Sequence, residues 1–275
     1  MLPSKIQEEQ CRPDTLQHGC TQRVRALREQ SMHTKPRVCM ERAAIITKVY
    51  RQYEGKVSVP KLRALALLHY MQERSLYLGD GELIVGEKSD SPQSAPTFPE
   101  ICCHSLEDME IMRRRELISF DSTREDRDFQ RDEIIPFWQE RSIRSKLFSL
   151  MAPEWKDAYQ AGIFTEFMEQ RGPGHTVGSG KIYEKGFLDY KQDIAASIDA
   201  LDPLLDPQAL QKREQLEAMS IACDAVITLG QRYAELAEER AQQTDDLARR
   251  RELKAIAENC RVVPAHRPRT FWQAL

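Results

Sequence analysis

The chain has 275 residues, 41% of them hydrophobic and 30% charged, which excludes both a membrane-embedded protein and a disordered one. Forty basic and 43 acidic residues leave a formal net charge of −3 with the two signs mixed along the chain. That balance excludes nucleic acid and anionic membranes as electrostatic partners.

No apolar run approaches the roughly 18 residues of a membrane span. The opening MLPSKIQEEQ lacks the apolar centre of a signal peptide, so a cytoplasmic setting is expected. Seven cysteines, at 11, 20, 39, 102, 103, 223 and 260, form no C-x-x-C pair. They read as reduced thiols rather than disulfides or a structural zinc site.

Residues 1–20 are polar, with Pro3, Pro13 and Gly19, and read as a flexible N-terminal arm. A short basic helix is expected over 21–29. Cys39, Ala43, Ile46 and Tyr50 recur at helical spacing and predict a helix over 38–53, ended by Gly55. Pro60 suits the first turn of a further helix that contains Leu62–Met71, with His69 at its core or rim.

From Leu76 the character changes to YLGDGELIVGEKSDSPQSAPTFPE. A short strand is expected over Glu82–Val85, inside an irregular segment that cannot build its own core and so lines something. Helices resume at two hydroxyl-x-x-acid starts, Ser105 to Asp108 and Ser122 to Glu125. The second runs through Phe129, Glu133 and Ile134 to Pro136-Phe137-Trp138. Pro153 opens a helix through Ala161. The adjacent Cys102-Cys103-His104 is too small a set for a metal, and such thiols are usually small buried hydrophobes.

Residues 164–177, FTEFMEQRGPGHTV, begin with Phe164, Phe167 and Met168 on one helical face and break at Gly172-Pro173-Gly174. His175 follows the break and can be presented from a loop, where functional side chains concentrate. By itself a His in a turn is most simply a surface residue. Lys185–Leu201 is amphipathic and stops before Pro203. Leu216, Met219, Cys223, Val226, Gly230, Tyr233 and Ala237 alternate steps of three and four, predicting a packed seam on one long helix. Thr244-Asp245-Asp246 caps another helix. VVPAHRPRTFWQAL then starts a helix at Thr270 and stops inside an apolar stretch, which reads as a cut. Its Phe271, Trp272 and Leu275 are expected to be exposed.

Taken together, Glu82-Leu83-Ile84-Val85-Gly86, Phe137-Trp138, His175, Pro264-Ala265-His266-Arg267-Pro268 and Thr270-Phe271-Trp272-Gln273-Ala274 resemble the N-terminal part of glycyl radical enzymes. These form the pyruvate formate-lyase and diol dehydratase superfamily. Within it, APTFPEICCHSLED and FTEFMEQRGPGHTV look most like members that dehydrate trans-4-hydroxy-L-proline. The resemblance covers roughly residues 22–275, with Gly172 standing where alanine is the commoner family residue.

The resemblance implies a mainly α chain: the helical N-terminal portion of a glycyl radical enzyme α/β barrel, truncated before most of the barrel. Residues 21–275 would form the incomplete pyruvate formate-lyase-type domain. It also implies radical dehydration of trans-4-hydroxy-L-proline to 1-pyrroline-5-carboxylate, with the radical installed by a radical SAM activating enzyme and the full-length form a homodimer. The thiyl cysteine and the Arg-Val-x-Gly-Tyr glycyl loop of the family are not found in these 275 residues. The chain alone is therefore expected to be inactive, with the missing C-terminal barrel portion as its partner and no bound cofactor or metal. By resemblance His175 is the catalytic residue, and Phe167 and His175 bind substrate. An imidazole can protonate a leaving hydroxyl near neutral pH, and an apolar wall excludes water. His266 is expected to bond near the helix start at Thr270. Two other readings stay open: a family member acting on a diol, choline or sulfonate, and a non-catalytic helical subunit that binds a partner.

Overall fold

The structure, a computed structural model, describes residues 21–163 and 180–275. Thr21 caps α1 (Gln22–His33), accepting from the Val24 amide at 3.4 Å, so this helix outruns the expected stretch by a turn. Residues 38–40 do not join the following helix as their spacing suggested. Arg37–Cys39 form strand β1, and the helix, α2, spans Glu41–Tyr53. The reason is tertiary: β1 pairs in parallel with β2 (Ser94–Pro96), Val38 opposite Ala95, and the Val38 amide donates to Asp121 O at 2.8 Å. Such pairing overrides local periodicity. Helix α3 (Val59–Glu73) carries Pro60 in its first turn, and with α2 it forms the crossover between the two strands.

Helix α4 (Leu106–Arg114) starts at the expected capping box: Ser105 Oγ accepts from the Asp108 amide at 3.0 Å, and Asp108 accepts from the Ser105 amide at 2.9 Å. The next box is displaced by one residue, with Thr123 as the cap and Asp126 as its acid, at the head of α5 (Arg124–Phe129). The chain then widens into a π-helical turn, Gln130–Ile134, and tightens again into α6 (Ile135–Trp138). Pro136 has no N–H to donate, and its ring needs room over the preceding turn, which the widened turn supplies.

Trp138, 1% exposed, is directed into the first core. Its indole N–H donates to Thr47 Oγ1 at 2.7 Å, and Thr47 donates in turn to Ala43 O at 2.6 Å. Tyr50 meets the indole edge-on at 4.8 Å. Val38, Ile46, Val49, Met109 and Ile134 complete this core. Helices α7 (Ile143–Leu150) and α8 (Pro153–Gln160) follow, α7 not foreseen although Ser142 supplies its cap.

After Gly180 come α9 (Lys181–Glu184), α10 (Phe187–Asp199), the 35-residue α11 (Ala209–Gln243), α12 (Leu247–Val262) and the short α13 (Phe271–Ala274). Asp246 caps α12 as expected, accepting from the amides of Ala248 and Arg249. Helix α11 packs against α3, α10 and α12. Of its expected seam, Cys223, Tyr233 and Ala237 are buried, whereas Met219 is 46% exposed, because the N-terminal part of α11 has no cover on that side. A second core joins α11 to α12 through Ala237, Ala241, Leu253, Ile256 and Ala257, with Leu78 at its centre.

The chain is thus mainly α, with a single two-stranded parallel sheet among the described residues. No described helix is long and apolar enough to cross a membrane.

Candidate functional site

The irregular stretch after α3 has few backbone partners of its own. Helical structure elsewhere supplies them through arginines, each with several N–H donors and a constant charge. Arg232 of α11 donates to Met71 O at 2.6 Å and Arg74 O at 2.8 Å, and Arg240 to Leu78 O. Arg249 of α12 donates to Gly79 O at 3.0 Å and Glu82 O at 2.8 Å. The buried Arg74 reaches the carbonyls of Glu87 and Ser89. Held in this way, Glu82–Val85 pairs with no strand and bends at Ile84, so the expected strand does not form.

The same stretch does line something, as its composition implied. Leu83, Ile84, Val85 and Gly86 form one wall of a cavity of about 420 Å³. Val226, Leu229, Gly230 and Tyr233 of α11 form its floor, and Asn259 and Cys260 of α12 a second side. Ile182, Tyr183, Lys185 and Phe187 close a third, and His266, Pro268 and Trp272 to Leu275 the last.

Two of these walls are held together by contacts that admit only glycine. The amides of Phe187 and Leu188 donate to Pro264 O and Ala265 O, both at 3.0 Å. This brings Gly186 so close that a Cβ there would sit 2.3 Å from Ala265 O. On the floor, a Cβ on Gly230 would lie 2.7 Å from Pro264 Cδ. Trp272 ties in the remaining wall, its indole N–H donating to Leu83 O at 2.9 Å. Three of the short motifs that carried the family resemblance, at 82–86, 264–268 and 270–274, therefore meet at this one cavity.

Its polar groups are few and underused. The Asn259 side-chain nitrogen has no hydrogen-bond partner, and the Tyr233 hydroxyl, in a residue 2% exposed, has no acceptor for its O–H, although the backbone amides of Gly86 and Tyr77 approach its oxygen. Burial raises the Tyr233 pKa, against weaker opposing effects of Arg74 and the nearby backbone amides. Burial also pushes the Cys260 thiol up to about 11. Both groups are therefore neutral at physiological pH. Neither Tyr233, read from sequence as a seam residue, nor Asn259 was anticipated as a site residue. The available signal was a polar tip on an otherwise apolar helical face.

The residues singled out from sequence are distributed differently. Phe167 and His175 lie outside the described residues. His266 lines the cavity, but the start of α13 is closed by others: Thr270 Oγ1 accepts from the Gln273 amide, and Gln273 Oε1 from the Arg269 amide. Phe271 and Leu275 are 80% and 64% exposed as expected, whereas Trp272 turns inward. Cys103 packs against the first core, where burial pushes its thiol up to about 11, and Cys102 accepts from Arg144 at 3.4 Å. Burial, opposed by Asp108, lowers the His104 pKa. No cluster of metal-ligating side chains occurs among the described residues.

Comparison with known proteins bears on the same stretches. The family model described as pyruvate formate lyase-like matches residues 17–275. Trans-4-hydroxy-L-proline dehydratase of Clostridioides difficile is 52% identical over 257 residues, covering 94% of this chain and 33% of that protein. The crystal structure of hydroxyproline dehydratase from the same organism, with trans-4-hydroxy-L-proline bound, superposes with a TM-score of 0.88 at 53% identity. It covers 93% of this chain and 32% of the other. The glycerol-bound B12-independent glycerol dehydratase of Clostridium butyricum gives a TM-score of 0.84 at 30% identity, over 92% of this chain and 32% of that one. The chain spans about a third of the length of these relatives.

Proposed function

From the premise that this chain belongs to the pyruvate formate lyase-like family, we infer that it forms part of a glycyl radical dehydratase. Its substrate would be trans-4-hydroxy-L-proline, which loses water to give 1-pyrroline-5-carboxylate. The observation that carries the substrate is the 52% identity to the hydroxyproline enzyme along 94% of the chain. The glycerol enzyme, by contrast, stands at 30%.

The described cysteines do not fit the role of a radical relay. Cys39 and Cys223 are buried, Cys103 packs against the first core, Cys102 is held by Arg144, and Cys260 sits within α12. No step through a radical is assigned to them. The radical-bearing residues, and the contact with an activating enzyme, belong in this reading to the length of the relatives that this chain does not span.

This chain's contribution to chemistry is placed at 164–177. His175 holds and protonates the departing hydroxyl, a task suited to a side chain that titrates near neutrality. Phe167 supplies an apolar wall that keeps water out and orients the ring. The test joins this chain to the remaining length of the Clostridioides difficile relative and activates the product anaerobically. His175→Ala is expected to lower dehydration by about 10²-fold or more, the scale of a positioned acid–base group, with the melting temperature unchanged. Wild-type turnover by that variant would remove His175 from the site.

A further inference from the structure

We propose that Cys102 and Cys103 form a reversible oxidation site. A two-electron oxidant of the hydrogen peroxide class joins the two sulfurs as a disulfide, and closing that ring loosens the 100–104 segment from α7. The site is independent of the substrate assigned above.

The pair lies between a turn, in which the Ile101 and Cys102 amides both donate to Phe98 O at 3.0 Å, and the Ser105 cap of α4. Both thiols are partly exposed, whereas Cys39 and Cys223 are buried. The two sulfurs have different neighbours. Cys102 Sγ accepts from the Arg144 guanidinium at 3.4 Å, and Cys103 packs at the margin of the first core. A cation beside a sulfur suits one that reacts as a thiolate. Burial pushes the Cys103 thiol up to about 11, so Cys103 enters second and as the protonated partner. An accessible thiol with a resolving cysteine next to it is the usual arrangement of an oxidation-sensitive site.

The backbone can follow. Among the described residues, no hydrogen bond engages the peptide group that joins Cys102 to Cys103. Turning that group to bring the sulfurs together therefore breaks no backbone pairing. Adjacent Cα atoms lie about 3.8 Å apart, closer than the roughly 4.4–6.8 Å usual for a disulfide. A ring so tight is easily reduced, as labile and regulatory disulfides are. Closure also draws Cys102 away from Arg144. The Arg144 amide donates to Ile101 O at 3.0 Å and the Ile143 amide to Glu100 O at 2.9 Å, so this segment holds the first turn of α7.

One equivalent of peroxide balances the reaction. The Cys102 thiolate attacks a peroxide oxygen, the O–O bond breaks, and hydroxide leaves with a sulfenic acid formed on Cys102. That hydroxide takes up the proton that the Cys102 thiol released. The Cys103 sulfur then attacks Cys102: an S–S bond forms, the S–O bond breaks, and the hydroxyl departs as water with the Cys103 proton. Both sulfurs are oxidised, and the two peroxide oxygens are reduced to water.

The test uses the 275-residue chain, reduced, freed of reductant, exposed to hydrogen peroxide at neutral pH and alkylated with iodoacetamide. Trypsin releases Ser89–Arg113, which holds both cysteines and no other. Mass spectrometry is expected to find this peptide unalkylated and two hydrogens lighter than its dithiol form, with dithiothreitol restoring both alkylation sites. It should form about 10-fold or more faster than any disulfide of Cys223 or Cys260, the scale of advantage of a partner held adjacent. Cys39, 4% exposed in the first core, stays unalkylated in the folded chain and is the internal standard. In the oxidised chain the amides of Ile143 and Arg144 should exchange about 10-fold or more faster, with α12 unchanged. Cys103→Ser, which lacks the resolving thiol, should instead leave a sulfenic acid on Cys102 that dimedone captures.

The proposal is overturned if Ser89–Arg113 stays alkylated at both cysteines after free glutathione in the same tube has been oxidised. It is overturned equally if either cysteine is found joined to any other thiol, or if exchange at 143–144 is unchanged in the oxidised chain. These measurements are made on the unaltered chain, so they decide even where the variant does not fold.

Discussion

The two cores are built from similar residues and finished differently. Around Trp138 each polar tip introduced with the apolar bulk is used within the chain: the indole N–H meets Thr47, and Thr47 meets the backbone of its own helix. Around Leu78 the packing is as tight, with Ala237, Ala241 and Ala257 fully enclosed. Yet one helical turn away the Tyr233 O–H has no acceptor, and Phe271 and Leu275, on either side of Trp272, are 80% and 64% exposed. The first core stabilises this chain alone. The second combines a closed centre with an open flank on which polar groups are left partly unused.

The largest test of that contrast is Trp138→Ala. Removing a fully buried indole leaves a cavity and takes from Thr47 Oγ1 the hydrogen bond it accepts, and a loss of about 3–5 kcal/mol is expected in denaturant unfolding. A loss below about 1 kcal/mol would mean that the first core is not the closed unit described here. Next comes Arg249→Ala, which takes the guanidinium donor from the carbonyls of Gly79 and Glu82. A loss of about 1–3 kcal/mol is expected, with faster amide exchange across 78–86 and unchanged exchange in α2. Uniform loosening of both regions would erase the distinction between them.

Tyr233→Phe should do almost nothing. Deleting a hydroxyl whose O–H has no acceptor is expected to shift stability by less than about 1 kcal/mol. A clear destabilisation would show that the cavity already satisfies that group. The smallest expected effect is on pH dependence at the link between α1 and α12. Arg23, and then Arg249, hold the Glu252 carboxyl below its ordinary value of 4.5. A carboxylate with a depressed folded pKa contributes stability that is present above its unfolded value and lost as pH falls through the folded one. The melting temperature should therefore decline as pH drops below about 4.5, and Glu252→Gln should flatten that decline. An identical slope in the variant would assign the acid sensitivity to other carboxylates.

What could be read in advance followed the range of the forces involved. Caps are local, so Ser105, Asp246 and Thr270 were legible, and Thr123 was missed by one residue because two hydroxyls stand side by side. Strand β1 was not legible, since its partners at 94–96 and 121 are remote in sequence. The strand expected at 82–85 failed for the mirror reason: its residues favour extension, but no neighbour supplies a ladder. Of the site, the short motifs were legible as a resemblance, and the structure adds that three of them share one cavity. That the Tyr233 O–H and the Asn259 nitrogen lack acceptors there depends on how α11 and α12 pack, which no single segment encodes. The roles given to His175 and Phe167 rest on resemblance alone.

The arginine clasp also fixes an order of events. In sequence, 158 residues separate Arg232 from Arg74, and 170 separate Arg249 from Gly79. Closing loops of that length costs conformational entropy before any contact compensates for it, and contacts so distant form late. On the ribosome the 74–86 stretch emerges long before the guanidinium groups that organise it. Until α11 and α12 are complete it has no structure to adopt, and Leu78, the centre of the second core, stays in water. Assembly of this protein is therefore expected to proceed from its first half towards the cavity, whose wall is among the last parts to set.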